Sequence, residues 1–137
     1  MDTRCLNTMV DHIGYAVKSL GKAREFLKLL GFSVSSVEVI DELQNSRIQF
    51  MTNGQTKIEL IEPINENAPI VNLLRKVGST PYHFCFSTDE FDTVFEELKK
   101  KAVLIVDQVP AKAFDGKRIA FFYSKEIGLF EILEKGE

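Results

Sequence analysis

The chain has 137 residues, 45% of them hydrophobic and 27% charged, with 17 Lys and Arg against 20 Asp and Glu for a formal net charge of -3. That make-up fits one compact soluble domain or two small fused modules sharing a core, and the scattered basic residues, clustered only at Lys99 to Lys101, form no stripe for nucleic acid. No apolar run nears the roughly 20 residues that span a bilayer, MDTRCLNTMV lacks the apolar core of a secretory signal, and Cys5 and Cys85 make neither a metal knuckle nor a disulfide framework. A cytoplasmic protein with no membrane or nucleic-acid partner is expected.

Residues 1–8 read as an N-terminal tail. VDHIGYAV (10–17) is short, apolar and β-prone. Ser19 follows as an N-cap, and Leu20, Ala23, Leu27 and Leu30 recur at helical spacing until Gly31 supplies a stop. FSVSSVEVI, SRIQFMT and TKIELIEP are then three strand-like runs, with Asn53-Gly54 as the hairpin signal between the last two. The order is βαβββ over residues 9–63.

Residues 64–79 read as a linker with a short helix, opened by Pro69 and closed by Gly78. YHFCFST predicts a strand. Ser87 with Glu90 predicts a capping box for a helix with Phe91, Val94, Phe95 and Leu98 on one side, ending in the three lysines. AVLIVDQV, KRIAFFYS and LFEILEK are again three strand-like runs, so residues 80–137 repeat βαβββ.

The repeat is visible in residues as well as in pattern. His12 and His83, the only histidines, are 71 positions apart, as are RIQFM and RIAFF; Glu59 and Glu131 are 72 apart. A period this long points to two copies of one module rather than a solenoid. Strand alternation puts His12 on a face with Gly14 and Ala16, and His83 on one with Cys85 and Ser87, while the bulky residues point the other way. Glu59 and Glu131 each interrupt an apolar strand. A carboxylate deprived of water must be paired, bound to a metal or neutralised. Two His and two Glu related by the repeat are expected to converge on a divalent cation that cancels both charges. A single strand His or Glu is more often a packing residue or a solvated one, so the weight lies on the repetition. Glu62 and Glu134 repeat too, but alternation turns them to the opposite face, where they read as exposed strand ends.

On DHIGYAV, KIELIEP, YHFCF and LFEILE the chain resembles the vicinal oxygen chelate superfamily, which includes glyoxalase I, extradiol dioxygenases, methylmalonyl-CoA epimerases and bleomycin-resistance proteins. The resemblance covers about residues 9 to 135. It implies an α+β fold in which two tandem βαβββ modules form a half-open, cup-shaped mixed β-sheet with helices outside. It also implies a divalent ion (Co, Ni, Mn, Fe or Zn) held by His12, Glu59, His83 and Glu131.

HIGYAV, IELIEP and GKRIAFFYSKE are most similar to the epimerase branch. YHFCF stands where epimerases usually carry a His-His pair, and SKEIGLFE replaces their longer Gly-Gly approach to the last ligand. The likeness implies an isomerase that transfers a proton alpha to a carbonyl through a metal-stabilised enolate. Glu131 and Glu42, the latter seventeen positions before Glu59, would be the acid and base. The expected substrate is an acyl-CoA thioester. The alternatives are a glutathione adduct, as in lactoylglutathione lyase (glyoxalase I), and metal-free drug binding of the bleomycin-resistance type. Gln44 and Asn45 are further candidates to line the cup, and Arg47, Lys112, Lys117 and Arg118 to stand at its rim. A homodimer is expected, with an edge strand or the IVNLL segment as its contact.

Overall fold

The computed structural model describes residues 5–136; the first four residues of the expected tail lie outside the described residues. The fold is α+β, with two βαβββ modules of mixed sheet. Two compact units divide between Asp11 and His12 and between Tyr82 and His83. Among the described residues no helix is long and apolar enough to cross a membrane.

In the unit of residues 12–82 the elements are β1 (Met9–Ala16, which begins before the boundary), α1 (Leu20–Leu29), β2 (Ser33–Val34), β3 (Val39–Asp41), β4 (Ser46–Asn53), β5 (Thr56–Pro63) and α2 (Val71–Val77). Strands run in the order β2-β4-β5-β1, with β3 also on β4. β1 and β5 are parallel, and β4 is antiparallel to β5. Ser19 caps α1 as expected, its hydroxyl accepting from the Lys22 N–H at 3.2 Å. Leu20, Ala23 and Leu27 pack on Val17, Met51, Ile58 and Leu60 together with Tyr15 and Phe32. Each fully buried aliphatic side chain there stabilises the unit by roughly 1.5–3 kcal/mol. Leu30 does not join that stripe: it is the C-cap and 59% exposed.

Two further expectations shift. FSVSSVEVI is two short strands rather than one, because the Ser36 hydroxyl accepts the Phe50 N–H at 2.9 Å and the Gln49 side-chain amide donates to the Ser36 carbonyl at 3.0 Å. Side chains there replace the regular ladder. The hairpin turn is Gly54-Gln55, not Asn53-Gly54: Asn53 still pairs with Thr56, and Gly54 has φ 59°. A positive φ at the first of two turn residues is the conformation that favours glycine there. Asn53 instead donates its amide to the Leu30 carbonyl at 3.2 Å.

In the other unit, residues 83–136 supply β6 (Thr80–Thr88, which begins before the boundary), α3 (Phe91–Lys99), β7 (Val103–Pro110), a 3-10 turn (Lys112–Phe114), β8 (Arg118–Ser124) and β9 (Gly128–Glu134). Their order is β6-β9-β8-β7, with β6 and β9 parallel and the other pairs antiparallel. Phe91, Val94 and Phe95 of α3 meet Ala120, Phe122, Phe130 and Ile132, and Leu6 and Leu98 pack against the same cluster. Phe122 is stacked on Phe130 at 5.8 Å and edge-on to Phe95 at 5.7 Å. The expected capping box is absent. Ser87 lies in β6, α3 starts at Phe91 with Glu90 as cap, and Thr88 accepts the Glu90 N–H at 2.9 Å.

Candidate metal ligands

In the 12–82 unit, β1 and β5 lie side by side with Gly14 opposite Glu59. Alternation sends Ile13, Tyr15, Ile58 and Leu60 toward α1 and leaves His12 and Glu59 on the other face. His12 Nε2 stands 3.3 Å from Glu59 Oε1, with side chains 0% and 2% exposed. Phe50 is opposite Glu59 in β4, and its ring meets the His12 ring edge-on, centroids 5.3 Å apart at 76°. One phenyl therefore abuts both members of the pair.

The other unit builds the same arrangement. Cys85 of β6 lies opposite Glu131 of β9, and Phe121 of β8 lies opposite Glu131 from the other side. His83 Nε2 is 3.2 Å from Glu131 Oε1, with side chains 0% and 5% exposed. The His83 and Phe121 rings meet at 5.3 Å and 80°. Cys85 is buried among Ile119, Phe121 and Leu133, where a small apolar side chain is what the packing takes.

Separations of 3.2 and 3.3 Å exceed the roughly 2.7–2.9 Å of a charge-assisted N–H···O bond. In each pair the imidazole and the carboxylate are close enough that both would hold the same metal ion. Among the described residues, the side chains able to hold a metal ion are His12 and Glu59 in one unit and His83 and Glu131 in the other, all buried. Two imidazoles and two carboxylates suit Co, Ni, Mn, Fe or Zn. A bound dication would offset the carboxylate charge that burial penalises. The residues present fit the group.

Glu42 lies in the turn between β3 and β4, exposed, with its carbonyl accepting the Asn45 N–H at 3.3 Å. Gln44 is buried; its amide donates to Asp41 at 2.9 Å and its oxygen accepts the Tyr82 hydroxyl at 2.8 Å. Asn45 is half-buried and donates to Asn65 at 2.8 Å. Lys112 is exposed and Lys117 half-buried.

The two arginines are engaged in structure. Arg47 pairs with Glu38 at 3.5 Å and Glu62 at 3.6 Å. Arg118 binds Glu134 at 2.9 Å, Asp92 and Gln108 at 2.8 Å each, and lies 4.5 Å over Phe91. Glu62 and Glu134 are thus ion-paired and half-buried rather than exposed ends, at 26% and 33% exposure. The Arg118 side chain, then its backbone N–H, holds the Glu134 carboxyl below the usual range, and the same bonds to Glu134 and Asp92 raise the Arg118 guanidinium.

Phe50, Phe121 and Lys57 carry no site role in the sequence reading. The two phenylalanines lie in the repeated RIQFM and RIAFF runs, so the signal that could have found them was the same spacing that pairs the histidines.

The sequence profile of the Glyoxalase/Bleomycin resistance protein/Dioxygenase superfamily matches residues 11–121. The chain is 33% identical over 132 residues to uncharacterized protein YqjC of Bacillus subtilis, covering 93% of this chain and 94% of that one. It is 30% identical over 121 residues to the mitochondrial methylmalonyl-CoA epimerase of Homo sapiens, covering 87% of this chain and 68% of that one. Among solved structures, a variant of Streptomyces coelicolor methylmalonyl-CoA epimerase in complex with 2-nitronate-propionyl-CoA superposes with a TM-score of 0.82 at 26% identity, over 96% of this chain and 100% of that one.

Proposed function

The chain belongs to the glyoxalase/bleomycin resistance/dioxygenase superfamily, and on that premise we propose that it is a divalent-metal-dependent epimerase of a methylmalonyl-type acyl-CoA. The observation that carries the reading is the pair of buried His and Glu side chains that each unit holds at equivalent positions, His12 with Glu59 and His83 with Glu131. These four would hold one ion between them. When bound, the cation supplies Lewis acidity, favouring negative charge on a thioester carbonyl oxygen and so acidifying the neighbouring C–H.

The chain's own side chains then move the proton. Glu131 is buried and takes or returns it on one face of the α-carbon; Glu42 serves the other face. The two carboxylates differ in access to water. Glu42 is exposed, so its proton exchanges with solvent between turnovers, whereas the burial of Glu131 slows that exchange. The similarity to epimerases, one of them solved with an acyl-CoA analogue, supports a CoA thioester over a glutathione adduct.

The test is incubation of metal-replete protein with methylmalonyl-CoA in deuterated buffer, followed by NMR at the α-position. Deuterium is expected to wash in on the wild type. In Glu42→Gln incorporation should fall by at least about a hundredfold, the size of a lost general acid or base, with metal content unchanged. Absence of α-exchange on the wild type rejects the reading.

A further inference from the structure

We propose that Lys57 binds an anionic group of the substrate and sets which way round the substrate lies; this rests on the acyl-CoA reading above. Lys57 is two residues before Glu59 on β5 and shares its face. It stands one position before the Ile58 that pairs with Ile13, which puts it level with His12. Its ammonium lies 4.7 Å over the Phe50 ring, and that ring abuts His12. Among the described residues of β1, β4 and β5, it is the only cation on that face. Half-buried, it is placed at the margin of the His12 and Glu59 pair.

The repeat gives the second argument. His, Glu and Phe recur unchanged in the other unit, but the position of Lys57 is taken there by Leu129, and that of its strand neighbour Thr52 by Tyr123. The two His and Glu pairs can be alike because an ion has no orientation. A substrate has two unlike ends. The departure at Lys57 makes one margin cationic and leaves its counterpart, Leu129 with Tyr123, uncharged. A malonyl-type acyl-CoA offers anionic oxygens from two sources, the acyl carboxylate and the CoA phosphates, and an ammonium recognises either.

The experiment is calorimetric binding to metal-replete wild type, K57M and K57R, with racemic methylmalonyl-CoA, propionyl-CoA and free CoA as ligands. K57M keeps the apolar stem on Phe50, and K57R keeps the charge. Metal content and thermal midpoint are measured on each. The affinity of K57M is expected to fall roughly 10- to 100-fold, the loss of one charge-assisted bond, with metal content unchanged and much of the affinity recovered in K57R. A loss confined to methylmalonyl-CoA identifies the carboxylate; a loss on all three ligands identifies the phosphates.

Unchanged affinity of K57M, equal impairment of K57R, loss of metal from K57M, or no binding of any of the three by the wild type would each overturn the proposal. Deuterium exchange run alongside separates the two readings. Exchange with unaltered K57M affinity removes the role of Lys57 alone, whereas lost affinity without wild-type exchange removes the epimerase and keeps Lys57.

Discussion

His12 and His83 each have a glutamate carboxylate 3.3 or 3.2 Å away and a phenylalanine ring in T-shaped contact at 5.3 Å. An imidazole has a free ring rotation that costs entropy to fix, and a ligand already oriented does not meet that cost on binding. On the metal reading proposed above, Phe50 and Phe121 would position the two imidazoles for an ion. F50L and F121L, which fill most of the volume but remove the flat edge, are expected to weaken metal affinity roughly 10- to 100-fold. Competition with a chromophoric chelator measures this. Both variants are expected to stay folded, with thermal midpoints lowered by a few degrees. Affinity equal to the wild type's would make the ring contacts incidental. At this scale the two buried His and Glu pairs were legible because the two histidines in the chain fell on one spacing. Lys57 was not, because its meaning depends on which residue lies across from it in β4, and register is not written in a single strand.

Among the elements, strand positions were read more accurately than starts and turns. TKIELIEP matches β5 residue for residue, since an apolar run bounded by turn residues leaves little choice. Starts moved where side chains compete with the backbone. Ser87 was drawn into β6 and Thr88 took the turn before α3, while Ser36 divided the second strand of the first module. The ends of β8 and β9 are joined by Arg118 and Glu134. Because Glu134 is held below its unfolded value of about 4.3, the folded state gains from its ionised form. That gain is fully present above about pH 4.3 and is lost as pH falls through the lower folded value. E134Q should therefore be less stable than the wild type at pH 7, and the gap should close in more acid buffer. Urea denaturation at pH 7 and near pH 3 checks this; a gap that widens on acidification would contradict the assignment.

At the scale of the molecule, duplication explains why half the site can be read from the other half. His, Glu, Phe and the paired Arg and Glu recur in both units, on strands with the same neighbours. Residues 5–11 group with residues 83–136, and Leu6 packs against the α3 cluster, a partner so distant in sequence that the short run CLNTMVD gives no hint of it. The central claim is that the two His and Glu pairs serve one ion. Metal quantification on protein purified without chelator tests it most directly, on the wild type, H12A and H83A. The account predicts one ion per wild-type chain and close to none in either variant; two ions per wild-type chain, or full retention after loss of either histidine, would contradict it.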